Sequence, residues 1–309
     1  IPEAKVGLYM SFNSLGKDAS TYKLRTALYG AFMDRYFPRR SAAERKPLPA
    51  DAKQNASAVS GSYELSRRAE TSLFSFLYMF GQQEATAQED GSLEIAALAN
   101  LNGEPKKFIQ VEPWLWQEAH GEARVAALRD SNGNVTTLVP DGYGPVFVFQ
   151  RTPAWRNKAW LQPAILVAGL ILAVAVLTRF VGFLRRRFKR TDAPVATPAG
   201  DRRLQRLAWA APLACLLFAI FAGIIVAMLS GDSYWLLSTG AKPFLRLVQL
   251  IALIAVLGTA AAVWVAVAGW RSAVGNRWRA VGRTAVAAAC LVWAYVAIAF
   301  HFLSLRLHY

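Results

Sequence analysis

The sequence predicts a multi-domain membrane protein in three parts. A terminal strand and helix of a larger sheet occupy residues 1–38, a small antiparallel β-barrel occupies 58–152, and four transmembrane helices occupy 153–309, with a linker at 39–57. Three observations carry this. Four apolar runs, at about 159–184, 207–229, 245–270 and 281–305, reach the roughly 20 residues that a helix needs to cross the hydrocarbon core. Short strand-like runs alternate with glycine turn pairs between 58 and 152. The net charge of +15 is uneven: residues 1–158 hold 19 Lys and Arg against 17 acids, whereas 159–309 hold 16 against 3. A basic excess gathered between apolar runs marks a polytopic membrane protein and excludes a nucleic-acid groove reader.

The chain opens at Ile1 without Met or a signal-peptide pattern, which predicts either processing or the C-terminal part of something longer. In residues 5–13, Val6, Leu8, Met10 and Phe12 alternate onto one face, the period of a half-buried strand. A turn with Gly16 and Asp18 follows. From Thr21 to Tyr36 the period becomes helical, with Leu24, Leu28, Phe32 and Tyr36 on one stripe and Pro38 closing it. One strand and one helix cannot bury two such faces, so the rest of the sheet must come from upstream or from another chain. Arg39 to Ser57, rich in Pro, Ala and charge, reads as a linker.

The β module has turn pairs at Asp90-Gly91, Asn102-Gly103, Asn132-Gly133 and Asp141-Gly142, with a weaker one at His120-Gly121. Between them lie strand-like runs at Gly61–Arg67, Gln83–Glu89, Leu93–Ala99, Lys107–Glu112, Arg124–Asp130, Val135–Pro140 and Val146–Gln150. Ala69 to Phe80 reads as a helix with Leu73, Leu77 and Phe80 on one face. Seven or eight such strands make a small barrel or sandwich.

In the membrane half, the first loop carries Arg185, Arg186, Arg187, Lys189, Arg190, Arg202, Arg203 and Arg206 against Asp192 and Asp201. The third carries Arg271, Arg277, Arg279 and Arg283, and the second only Lys242 against Asp232. Loops one and three are therefore expected in the cytoplasm, with residues 1–158 and the C-terminus outside, in a periplasm. Trp155, Trp160, Tyr234, Trp235, Trp270 and Trp278 fall at span ends as interface anchors. Span middles are nearly clean of ionisable groups, which argues against a transporter. Arg179 lies near one span end and can snorkel, and Arg246 and Gln249 open the third span. His301, in the last turns of the fourth, is the one candidate for a functional intramembrane group, against the plainer reading of an interfacial histidine near the outer leaflet. Ala219, Gly223 and Ala227, and Gly169 with Ala173, are spaced for close helix packing, within one bundle or between two copies. Cys215 and Cys290 sit inside apolar runs as small hydrophobes, with no disulfide framework or metal spacing.

Chemistry is sparse. Ser14-Leu-Gly-Lys17 matches the Ser-x-x-Lys pattern of a lysine-activated serine, but it follows a strand in a glycine turn instead of opening a buried helix. Ser11-Phe-Asn13 is similarly a strand end. His120 beside Glu118 and Glu122 is a turn with solvated acids, and Trp114 and Trp116 on one strand face cover the barrel core. No phosphate loop, metal constellation or triad is visible, so no catalytic, cofactor-binding or metal residue is assigned.

Several segments nevertheless resemble a known family. These are Ile1 through Ser14, the helix end Phe32-Met-Asp-Arg-Tyr-Phe-Pro38, Gly61-Ser-Tyr63 with Ser66-Arg-Arg68, Asp90-Gly91, and Val111-Glu-Pro113. In that order they resemble the C-terminal part of membrane-anchored serine hydrolases related to β-lactamases and penicillin-binding proteins. The likeness covers the whole chain in architecture and is specific over about residues 1–140. It implies that residues 1–38 close an α/β serine-hydrolase sheet, that the barrel is lipocalin-like, and that the nucleophilic motifs lie upstream of residue 1. Ser14 and Lys17 follow the closing strand and do not match the motif position. The implied activity is a serine acyl-enzyme acting on an acyl, ester or peptide bond outside a bacterial inner membrane, with no cofactor. Its partners would be the bilayer, an upstream or separate catalytic domain, and a second copy or larger membrane complex. The competing reading is a non-catalytic membrane subunit whose β module binds a periplasmic partner or ligand.

Overall fold

The structure, a computed structural model, describes residues 1–14, 16, 20–38, 49–100, 102–141, 147–188, 199–230, 234–271 and 277–304. Lys17, Asp18, most of the expected linker, Gly142, Val146 and the core of each inter-helix connection lie outside the described residues. The chain divides into two units, residues 1–66 with 83–151, and residues 67–82 with 152–309.

In the first unit eight strands close an antiparallel barrel, each paired to its sequence neighbour. They are β1 (Gly61–Leu65), β2 (Gln83–Ala87), β3 (Leu93–Ala99), β4 (Pro105–Glu112), β5 (Leu115–Glu118), β6 (Arg124–Arg129), β7 (Val135–Pro140) and β8 (Phe149–Arg151). Closure comes from β1 against β8, with Tyr63 opposite Arg151 and Leu65 opposite Phe149. The expected glycine turns form three of the hairpins. Gly91, Gly103 and Gly133 donate to the carbonyls of Gln88, Asn100 and Asp130 at 2.9, 3.0 and 3.0 Å. Their φ angles of 82°, 89° and 84° are ones that a Cβ would oppose. Alternation places Leu93, Ile95, Phe108, Trp116, Val125, Leu138 and Phe149 inside, all buried in one cluster. A barrel of eight strands is just wide enough for side chains to fill, and these aromatics fill it.

One end is covered by a helix that the linker reading concealed. Helix α2 (Ala52–Val59) buries Ala52, Asn55, Ala56 and Val59. The Tyr63 hydroxyl donates to the Val59 carbonyl at 2.6 Å, and Asn55 Nδ2 donates to Gln110 Oε1 at 3.4 Å. The chain before it contains helix α1 (Ser20–Tyr36), as expected. Residues 5–13 form no strand: they lack a neighbouring strand to complete a ladder.

The second unit contains α4 (Lys158–Phe188), α5 (Ala199–Ser230), α6 (Lys242–Arg271) and α7 (Arg277–Ala299). Each is long and apolar enough to cross a membrane, which makes this a multi-pass membrane protein. Residues 67–82, the β1–β2 connection, belong to this unit. They contain only the short helix α3 (Ser75–Tyr78), not one running from Ala69 to Phe80. Leu73, Phe74, Phe76 and Met79 join the hydrophobic core of the bundle instead, while Phe80 is exposed. Phe76 meets Phe300 and Phe302 edge-on at 5.3 and 5.7 Å, and Phe302 meets Phe218 at 4.9 Å. Tertiary packing of these rings, not an amphipathic period, sets the conformation.

Within one copy, close helix packing falls elsewhere than at most of the expected small residues, although Ala219 does pack against the core. Gly223 and Ala227 are exposed, and a Cβ on Gly223 or Gly169 would meet nothing within 4 Å. Close approach occurs at Gly258 of α6, where a Cβ would lie 3.0 Å from Ala211 Cβ and 3.1 Å from Ala211 Cα.

Candidate functional site

The described residues of 6–37 carry a set of large apolar side chains that the rest of the chain leaves exposed. Helix α1 repeats Leu24, Leu28, Phe32 and Tyr36 at four-residue spacing, which puts them on one stripe. Phe32 sets its ring 5.0 Å from Tyr36 and 6.1 Å from Phe37, so the aromatic end of the stripe is organised. None of the described residues in 1–38 is buried. Leu8, Phe12, Leu24 and Leu28 are 41, 40, 43 and 45% exposed, and Tyr9 is 87% exposed. A hollow of about 460 Å³ opens between the N-terminal segment and α1, lined by Met10, Phe12, Ser14, Thr21 and Arg25 among others. Large apolar side chains thus stand exposed in this segment, outside the helices long and apolar enough to cross a membrane.

The polar candidates do not assemble into a reacting centre. Ser14 Oγ accepts a hydrogen bond from the Gly16 N–H at 3.0 Å, which makes it a turn residue. Lys17 lies outside the described residues. Ser11 and Asn13 line the same hollow. His120 is exposed, and Glu118 is paired with Lys106 at 3.0 Å. Among the described residues no three His, Cys, Asp or Glu side chains converge as metal ligands.

His301 is not in the fourth helix. Helix α7 ends at Ala299, and His301 takes φ 57° beyond it. The His301 N–H bonds to the Ile298 carbonyl at 3.2 Å and the Phe302 N–H to the Ala297 carbonyl at 3.0 Å. That pair is a Schellman cap, with His301 where glycine is usual and buried Phe302 as its apolar contact. The two tryptophans stay together on the barrel core, as expected, with ring centroids 6.4 Å apart and Trp114 partly buried against the cluster that holds Trp116. Trp116 is fully buried in the barrel, whereas Trp114 sits in the β4–β5 turn at φ 64° with the Arg129 guanidinium 4.3 Å above its ring.

Electrostatics on the barrel serve its turns and its core. The Lys107 ammonium at 2.5 Å, with the Ser92 hydroxyl and N–H, holds the Asp90 carboxyl well below the usual range. Backbone donors of the Asn132–Asn134 turn lower Asp130. Burial pushes the Tyr63 hydroxyl up to about 12, against a smaller opposing pull from Arg151.

In comparisons with known proteins, no family model, curated protein or solved structure matches this chain. The sequence identified the α1 stripe by its period. It did not identify the α2 cap, whose helical period is carried mostly by small and polar residues, or the Arg129–Trp114 stack, which leaves no local pattern.

Proposed function

We propose that this chain is the membrane-anchoring and β-domain portion of a serine hydrolase related to β-lactamases, facing the periplasm of a bacterial inner membrane. In this reading residues 1–38 complete the sheet of the catalytic domain, which acts on an acyl, ester or peptide bond through a serine acyl-enzyme. The observation that carries it is the exposure of the apolar side chains on the described residues of 6–37, whose strand-like period and helical stripe ask for a sheet to pack on. The resemblance of Ile1–Ser14 and Phe32–Pro38 to the closing elements of such hydrolases supplies the identity of that sheet. Sidedness rests on the arginines of the first and third connections.

The test is to treat native membranes with a fluorescent penicillin and a fluorophosphonate probe, then to identify the labelled species by peptide mapping. A labelled species containing this sequence is expected, and Leu28→Glu on the α1 stripe should abolish labelling. No labelled species, with a stable unlabelled partner co-purifying, overturns the reading. It would leave a non-catalytic membrane subunit whose barrel binds an external partner.

A further inference from the structure

A groove of about 700 Å³ runs between α4 and α7 at the arginine-bearing end of the bundle. Its apolar wall includes Leu170, Val174 and Val286, and its polar end carries Arg179, Arg279 and Arg283. Leu170 and Val174 are 68% and 60% exposed, so the wall opens sideways, where acyl chains lie in a bilayer. The depth of the arginines sets this groove apart from the basic helix ends. Arg179 precedes Arg185 by six residues and Arg283 follows Arg277 by six. At about 1.5 Å per residue, each is set about 9 Å inward from the basic terminus of its own helix.

A guanidinium carries five N–H donors, more than one protein partner fills, and a phosphate matches it in charge and in bidentate geometry. Among the described residues the groove lining holds three cations and no acid. The apolar wall then continues nine residues inward from Arg179 to Leu170, about 14 Å of helix, enough for a length of acyl chain. We propose that the α4–α7 groove binds one anionic phospholipid, its phosphate among Arg179, Arg279 and Arg283 and an acyl chain along Leu170, Val174 and Val286. A free phosphate would use the arginines and leave the wall bare, so the chain-bearing wall selects a lipid. Charge for topology alone needs arginines at the helix ends, as at Arg185 and Arg187, and does not need a recessed set facing a groove.

The full chain in neutral detergent, which has no surface potential, is equilibrated with phosphatidylglycerol or phosphatidylcholine, and retained lipid is counted by native mass spectrometry. Phosphatidylglycerol should be retained about tenfold better than phosphatidylcholine. Arg179→Gln with Arg283→Gln should lower its retention about 25-fold, taking about fivefold per arginine. Arg185→Gln with Arg187→Gln should change it less than about twofold, because a neutral micelle offers no lipid surface for helix-end charge to read. Gly282→Phe puts a ring into the groove without altering charge, from a position where a Cβ meets nothing within 4 Å, and an unchanged thermal midpoint checks that the bundle accepts the variant. It should lose phosphatidylglycerol as the arginine pair does. Equal retention of the two lipids, equal loss from the helix-end pair, or full retention by Gly282→Phe would each overturn the site. Displacement of the lipid by millimolar inorganic phosphate would do so too, by showing an anion site without a lipid.

Discussion

Tyr63 offers a direct measure of how dry the barrel interior is. Its ring is 1% exposed, its hydroxyl donates to the Val59 carbonyl at 2.6 Å, and its pKa is pushed up to about 12 from 10.0. Burial opposes the phenolate, and the donated hydrogen bond exists only in the protonated form. Because the folded value lies above the unfolded one, the stabilisation is complete below pH 10 and is lost as pH rises to about 12. Two units correspond to about 2.7 kcal/mol at the alkaline end. Other tyrosines and lysines titrate in the same window, so the useful quantity is the difference between wild type and Tyr63→Phe. Below pH 10 the variant should be less stable by about 1 kcal/mol, the net value of one hydrogen bond. By pH 12 the order should reverse, since the variant has no phenol to ionise. Selective ¹³Cζ-tyrosine labelling of the full chain in micelles reads the titration itself, with Tyr63→Phe assigning the resonance. A midpoint near 10, or a stability difference that does not change with pH, would refute a dry, helix-capped interior.

Three further outcomes follow from the bundle and its caps. Gly258→Ala should lower the thermal midpoint in detergent by the equivalent of about 1–3 kcal/mol, because its Cβ would lie 3.0 Å from that of Ala211, and Ala211→Gly should restore part of the loss. An unchanged midpoint would mean that α5 and α6 are not in close approach there. His301→Gly should raise the midpoint by the equivalent of about 1 kcal/mol by relieving a left-handed backbone conformation, and should leave any labelling by serine-reactive probes intact. A loss of stability or of labelling would return His301 to a functional role. For sidedness, Cys215 and Cys290 are both fully buried, so a single introduced thiol reports alone. Asn132→Cys should react with an impermeant maleimide on intact cells made permeable at the outer membrane only, and Arg187→Cys should react only after the inner membrane is lysed. The opposite pattern inverts the orientation.

What could be read from the sequence divides along local and non-local lines. The hairpins at Gly91, Gly103 and Gly133 were legible because the positive φ falls on one glycine inside a turn of three or four consecutive residues. Closure of β1 on β8 was not, since Tyr63 and Arg151 are brought together by the accumulated twist and register of all eight strands. Helix α2 escaped notice although its buried Ala52, Asn55, Ala56 and Val59 follow a helical period, because three of the four are small or polar and resemble a linker. Trp114 alternates with Trp116 on paper, yet a turn with φ 64° removes it from the strand. In the membrane half, span existence was legible and the packing faces were not. Helices apolar on all sides carry little directional signal, so Gly223 and Gly258 look alike in sequence while only Gly258 sits against a neighbour. The α4–α7 groove is illegible for the same reason: Arg179 and Arg283 lie more than a hundred positions apart and share a lining only once the bundle is folded.

The energetics of the N-terminal surface bear on how a catalytic domain would be attached. Leu8, Phe12, Leu24, Leu28 and Tyr36 are between 40% and 61% exposed. Completing the burial of each contributes about 1 kcal/mol, roughly half of what full burial of such a side chain is worth, and about 5 kcal/mol together. A separate chain loses on the order of 4–15 kcal/mol in translational and rotational freedom on docking, so this stripe by itself would hold a free partner weakly. A domain joined covalently to this chain does not meet that cost in the same way, because a short tether keeps it at millimolar effective concentration. Strand pairing by residues 5–13 would add backbone hydrogen bonds to either arrangement without changing the comparison. The proposed hydrolase reading therefore sits best with a catalytic domain on the same polypeptide. Under denaturing electrophoresis, the probe-labelled band and the band carrying the barrel peptides should then be one band, and two separable bands would assign the sheet to another chain.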